Sequence, residues 1–364
     1  MRYLGIPIHY RRLSNADWKR VEERFEKRPN SWKGKHLSTG GRLTLINSLL
    51  SSLPMYMMSF FAIPKGVVKK LDYFRSRFFW QSDEQKWKYR LAKWDILCQP
   101  RNQGGLEIHN LDIKNIALLS KWLFKLLTTE GTWQQMLHKK YLGSKPLSQV
   151  QWKNGDSHFC ASLMKVKRDF LHFGTFIIQD GSQVRFWEDR WLGQSTPREQ
   201  YPCLYNIAPH KHVSIAEVLS TSPPTLSWRR DLIGHKLVAW NNLLPCITNI
   251  VLSKQEDEFR WNLHPNGQLS VKSHYLAMIH NDVPNINKGL WKLKAPLKFK
   301  IFLWYLRRGV VLTKDNLVKC NWHGSKQCCF FHKNETIKHL FFECRFRSCC
   351  LVCYPGGFRL VSTA

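Results

Sequence analysis

Acidic residues are scarce in this chain. It holds 26 Asp and Glu against 56 Lys and Arg, a formal net charge of +30 over 364 residues. A chain so charged repels itself and calls for an anionic partner, nucleic-acid phosphate first and an acidic membrane surface second. Membrane-spanning runs are also wanting. Residues 43–63 carry no charge and have about the length that crosses a bilayer. Asn47, Ser48, Ser51, Ser52, Pro54 and Ser59 interrupt them, however, and Arg42 and Lys65 flank them without positive-inside asymmetry. Two buried segments broken at Pro54 are expected, and no membrane partner. The opening MRYLGIP lacks the apolar core and cleavage site of a secretory leader. Eleven cysteines, six of them within 328–353, do not form a secreted disulfide framework. These absences predict an intracellular, reduced protein.

What is present is a folding composition. Hydrophobic residues make up 43% and aromatics 13%, with 16 tryptophans, enough for two or three domains with real cores. Tyr3 to Ile8 is expected as a short buried strand without a local partner, as if the chain began mid-fold. Ser14 to Asp17 resembles a capping box, with Trp18, Val21 and Phe25 at helical spacing, and the helix is predicted to end before Pro29. Residues 31–42 form a glycine-rich basic segment, SWKGKHLSTGGR. Freed backbone amides with Trp32, Lys33, Lys35 and Arg42 suit phosphate oxygens; a solvated helix–helix connection suits the pattern equally. It is not a Walker loop, because lysine and hydroxyl do not follow the second glycine at the required spacing.

Helical periodicity continues in Val67, Val68, Leu71, Phe74, Phe78 and Phe79, with Lys69 and Lys70 interleaved for a phosphate backbone or for solvent. Ile116, Leu119, Leu123 and Leu126 mark another amphipathic helix. From residue 173 the period becomes that of strands. Two hairpins are predicted, one turned at Asp180-Gly181 and one at Pro265-Asn266-Gly267. Residues 298–308, KFKIFLWYLRR, alternate cations and aromatics. Lys298, Lys300, Arg307 and Arg308 could contact phosphates beside stacking rings, or snorkel from a buried helix. Asp180, Glu188 and Asp189 raise the alternative of a metal-dependent nuclease, although turn and strand-end positions explain them too.

The densest chemistry lies in residues 320–344, with four cysteines and three histidines. Cys328, Cys329, His332, His339 and Cys344 offer the thiolate and imidazole donors of a tetrahedral zinc site. The knuckle is irregular, because Phe331 stands three after Cys328 where C-x-x-C has its second cysteine.

That stretch resembles the zinc-binding module of plant non-LTR, LINE-type, reverse transcriptases. Cys328, Glu335, His339, Leu340, Phe341, Phe342 and Cys344 match as they stand, and Cys329 or His332 would have to take the place that Phe331 leaves. YLGIP, the segment from Trp32 to Pro54, FFW ending at Trp80, and Trp94 through Gln103-Gly104-Gly105-Leu106 are similar to the region after the polymerase palm in the same family. The resemblance implies a mainly α fold with a smaller α+β section. Its expected parts are a thumb-like helical region over 1–145, a hairpin-containing connection over 146–270, a zinc-binding-like module over 271–346 and an irregular tail over 347–364 of frameshifted character. It implies binding of RNA, an RNA–DNA hybrid or DNA, nuclear localisation, zinc as cofactor, and an upstream reverse transcriptase domain supplied elsewhere. The paired aspartates of the palm do not occur in this sequence. A non-catalytic, retrotransposon-derived binding fragment is therefore expected, with the nuclease or a decayed, functionless product as alternatives.

Overall fold

The computed structural model describes residues 2–3, 6–7, 13–31, 36–81, 88–143, 145–221, 224, 226–280 and 288–344. The fold is mainly helical with two small two-stranded sheets. Contacts divide it into two compact units. One comprises Met1–Glu26, Ser51–Leu71 and His109–Asn281; the other comprises Lys27–Leu50, Asp72–Ile108 and Asp282–Ala364. Among the described residues, no helix is long and apolar enough to cross a membrane.

In the first unit, Arg2–Tyr3 pairs antiparallel with Ile6–Pro7, so the opening segment finds the partner that its sequence did not announce. The Asn15–Ser31 helix starts as its cap predicts: the Ser14 amide donates to Asp17 Oδ2 at 2.8 Å. Trp18, Val21 and Phe25 are buried in step with the helical period. The helix does not stop before Pro29 but runs on to Ser31. A proline within the last turn removes only one donor near an end that frays anyway.

The long Leu111–Thr128 helix organises this unit, packing against the His158–His172 and Val271–Ile279 helices. Its buried Asn115 fixes the chain that follows Pro54. The Asn115 amide donates to the Met58 and Phe61 carbonyls at 2.7 and 2.9 Å, and its oxygen accepts from the Ile63 amide at 2.9 Å. Trp122 adds a bond to the Ser59 carbonyl at 2.7 Å. Around Ser59, the last of the polar residues that excluded a membrane helix, the backbone groups of Met58, Ser59, Phe61 and Ile63 are thus met by side chains.

The two predicted hairpins resolve differently. Gly174–Ile177 pairs antiparallel with Glu258–Trp261, in register from Gly174 opposite Trp261 to Ile177 opposite Glu258. The Asp180-Gly181 turn exists, with Gly181 at φ 68°. The chain beyond it, however, contacts the segment near Ser214, through Phe186 N–H to Val213 O and Ile215 N–H to Val184 O. After the Pro265–Gly267 turn, Ser270 caps the Val271–Ile279 helix instead of continuing a strand. Both turns are local and legible; their strand partners are chosen by burial of Phe170, Phe259 and Trp261 in one cluster and of Phe186, Trp187 and Trp191 in another.

In the second unit, the Thr39–Leu45 and Leu297–Arg307 helices pack together. The glycine-rich segment, over its described part, leads into the Thr39–Leu45 helix. Ser38 Oγ caps it by accepting from the Gly41 amide at 3.1 Å. Gly40 permits the close helix approach, since a Cβ there would lie 3.0 Å from the Lys298 backbone nitrogen. The Gly104-Gly105-Leu106 motif forms a second hub. Gly104 is left-handed at φ 88°, and a Cβ on Gly105 would fall 1.9 Å from the Gln99 carbonyl oxygen. The Gly104 carbonyl accepts from the Trp304 indole at 2.9 Å and from Arg308 at 3.2 Å.

Candidate metal centre and basic surface

Two segments of the second unit build the metal-ligating cluster. Residues 326–335 fold back on themselves: the Cys328 amide donates to Lys333 O at 2.8 Å and the Glu335 amide to Lys326 O at 2.8 Å, around a bridge between Gln327 and Asn334. Thr336 then starts the His339–Glu343 turn, its hydroxyl accepting from the His339 amide at 3.1 Å. Cys344 closes that turn through its amide to His339 O at 2.7 Å. Cys328, His339 and Cys344 are thereby buried together, with potential ligand atoms all within 4.8 Å of one another.

The donor set fits zinc. His339 is only 4% exposed, and among the described residues neither ring nitrogen has a hydrogen-bond partner. A buried imidazole left so is costly, and a metal ion held with two thiolates would give one of the two nitrogens its partner. The other two sequence candidates lie elsewhere. Cys329 is exposed and its sulfur stands 3.2 Å from Lys314 Nζ. That contact, with Glu335 nearby, raises the Lys314 ammonium above its ordinary pKa. His332 is exposed. Lys314 and Thr336 were not singled out from the sequence, because their roles arise from backbone geometry. Lys314 donates to the Gln327 carbonyl at 2.6 Å and lies 3.7 Å from Glu335, bracing the knuckle.

The nucleic-acid candidates separate into groups. Trp32, Lys33 and Lys35 lie outside the described residues. Arg42 is buried, donates to the Phe79 carbonyl at 2.9 Å and to the Leu37 carbonyl at 3.3 Å, and has its pKa lowered by burial. In the first unit Lys69 is exposed, while Lys70 bonds Glu22 at 2.6 Å. On the Leu297–Arg307 helix, Lys298 and Arg307 are exposed, Lys300 donates to the Trp291 carbonyl at 3.1 Å, and Arg308 lies over the Trp304 ring at 4.9 Å. The same helix exposes Phe299 (52%) and Phe302 (40%), and Phe302 packs against Phe341 at 5.7 Å between centroids. The helix that exposes these basic and aromatic groups therefore meets, through Phe302 and Phe341, the His339–Glu343 turn of the thiol–imidazole cluster.

The carboxylates of the nuclease alternative have local partners instead. Asp180 accepts from Ser182, and Glu188 pairs with His212 at 3.1 Å. Asp189 is buried and accepts from the Arg185 amide at 2.7 Å; burial pushes its carboxyl up to about 6. Among the described residues these carboxylates do not assemble into a metal-ligating group.

Comparison with known proteins agrees with this geometry. The family of zinc-binding domains in reverse transcriptase matches residues 269–350. An Arabidopsis thaliana protein provisionally named a ribonuclease H protein is 29% identical over 340 residues, 89% of this chain. An uncharacterized mitochondrial protein of the same plant is 31% identical over 149 residues, 40% of this chain and 96% of its own length. The chain belongs to the plant retrotransposon reverse-transcriptase-related family. It spans 53% of the length of the first of these relatives. The matched range contains Cys328, His339 and Cys344.

Proposed function

We propose that this chain is a nucleic-acid-binding part of a plant retroelement reverse transcriptase, with a zinc-stabilised module near its C-terminal end and no chemistry of its own. Residues 1–145 act as the thumb-like grip, 146–270 as the connection and 271–346 as the zinc module. The ligand is RNA or an RNA–DNA hybrid. One observation carries the reading: the helix that exposes Lys298, Phe299, Phe302 and Arg307 touches, through Phe302 and Phe341, the turn that carries His339 of the buried Cys328, His339 and Cys344 cluster. Residues 288–344 hold 12 Lys and Arg against 3 Asp and Glu, a net +9, which supports phosphate contact. The exposed phenylalanines offer faces on which unpaired bases stack.

The test is the salt dependence of binding to single-stranded RNA and to an RNA–DNA hybrid. Lys298→Ala with Arg307→Ala is expected to reduce the slope of log K against log salt by about 1 to 2. Phe299→Ala is expected to cost about 1 kcal/mol on single-stranded RNA with an unchanged slope. Binding with the same slope in the double variant would refute the assigned face.

A further inference from the structure

We propose that the first unit holds a groove of its own for an unpaired nucleotide of single-stranded RNA, built on Trp152 and Lys165 beside the His158–His172 helix. The inference rests on the nucleic-acid reading above and deepens it, because it names the feature of the ligand that this unit takes.

The groove has a volume of about 840 Å³. It lies between the entry to the Asn15–Ser31 helix, residues 62–64, and the chain that runs from Val150 into the His158–His172 helix. Sites of this size for small ligands are mostly apolar, with a few polar groups that fix orientation. Leu13, Pro64, Val150 and Met164 supply the apolar wall, and Trp152, Asn154 and Lys165 carry the chemistry.

Hydrogen bonds hold the walls in place. The Leu13 amide donates to His158 Nδ1 at 3.4 Å. The Ala62 amide donates to Ser162 Oγ at 2.9 Å, and that hydroxyl donates to the His158 carbonyl at 2.7 Å. Lys167 Nζ donates to the Ser148 and Val150 carbonyls at 2.8 and 2.7 Å, which pins the chain just before Trp152. Just after it, the Lys153 amide donates to Asp156 Oδ2 at 2.8 Å, and Gly155 takes a left-handed φ of 99°. Trp152 is thus carried between two fixed points, yet it stays 46% exposed. A rigid loop presents an indole face at the groove instead of burying it.

Cations stand around that ring. Lys65 follows Pro64, Lys153 follows Trp152, and Lys165 lines the groove; all three are exposed. An aromatic face stacks a base, the Asn154 amide offers a donor and an acceptor to the base edge, and ammonium groups meet the phosphate. A base within a duplex is already stacked and paired, so the groove selects single strands.

The experiment uses the full chain with an iodouridine-labelled oligouridylate, and the same strand paired with oligodeoxyadenylate. Affinity is followed by anisotropy, and ultraviolet crosslinks are mapped by mass spectrometry. Wild type is expected to crosslink at Trp152. Trp152→Ala is expected to weaken single-strand binding about tenfold, with the hybrid affinity and the salt slope unchanged. Trp152→Phe is expected to restore most of the loss. Lys165→Ala is expected to lower the single-strand salt slope by about 0.7. Wild-type single-strand affinity in Trp152→Ala, an equal loss on strand and hybrid, or a wild-type crosslink map without Trp152 overturns the proposal and leaves the Leu297–Arg307 face standing. An unchanged slope in Lys165→Ala overturns the phosphate contact and with it the nucleotide assignment. A wild-type chain that binds neither ligand, while keeping its native circular dichroism, refutes the nucleic-acid reading itself.

Discussion

His274 sets the acid stability of the unit that contains it. The side chain is fully buried, and among the described residues both ring nitrogens lack hydrogen-bond partners. Its ring packs edge-on against Trp261 at 5.0 Å and Phe173 at 5.4 Å between centroids. Burial alone pushes its pKa from 6.5 down to about 4. The sign follows from proton counting. Between these values the unfolded chain binds a proton that the folded chain refuses, so stability is full above 6.5 and falls as pH drops towards 4. At about 1.4 kcal/mol per pKa unit, the loss approaches 3 kcal/mol by pH 4, of which about 2 kcal/mol is gone by pH 5. His274→Phe removes the titrating group and two unsatisfied polar atoms at similar shape, so its stability at pH 7 is expected to equal or exceed wild type. The assay is urea unfolding followed by tryptophan fluorescence at pH 7 and pH 5, for both proteins. Asp189, with its raised carboxyl, titrates in the opposite sense in both and cancels in the comparison. If wild type loses no more stability than His274→Phe between the two pH values, the account of a buried neutral imidazole is refuted.

Two further outcomes follow from local geometry. Asn115→Leu leaves the Met58 and Phe61 carbonyls and the Ile63 amide without their partner, and is expected to cost about 3 kcal/mol or more in urea unfolding; a loss below about 1 kcal/mol would mean that the 58–63 segment finds other partners. Gly105→Ala places a methyl group against the Gln99 carbonyl and is expected to lower the thermal midpoint by several degrees through movement of the 97–108 backbone; an unchanged midpoint would remove that hub from the fold.

Local signals in the sequence carried far. Apolar spacing gave the buried faces of three helices, because Trp18 to Phe25, Val67 to Phe79 and Leu119 to Leu126 each repeat at the helical period. The Ser14 cap, the Asp180-Gly181 turn and the interruption of 43–63 were likewise readable, since each depends on residues a few positions apart. The family motif around residues 328–344 named the metal chemistry from residue type alone.

Tertiary structure decided the rest. The partner of Gly174–Ile177 lies more than 80 residues away, and no local pattern distinguishes it from the nearer run at 183–187. Arg42 looked like a phosphate ligand because charge is visible in sequence and burial is not; packing turned it inward to backbone carbonyls. Trp304 and Arg308 meet the Gly104 carbonyl across about 200 positions of chain, a contact that requires the left-handed turn to be formed first. The sequence supplied five ligand candidates, of which Cys328, His339 and Cys344 matched the resembled motif while Cys329 and His332 competed for the remaining place. The fold-back of residues 326–335 and the turn that starts at Thr336 are what bring Cys328, His339 and Cys344 together, while the Cys329 sulfur lies at Lys314.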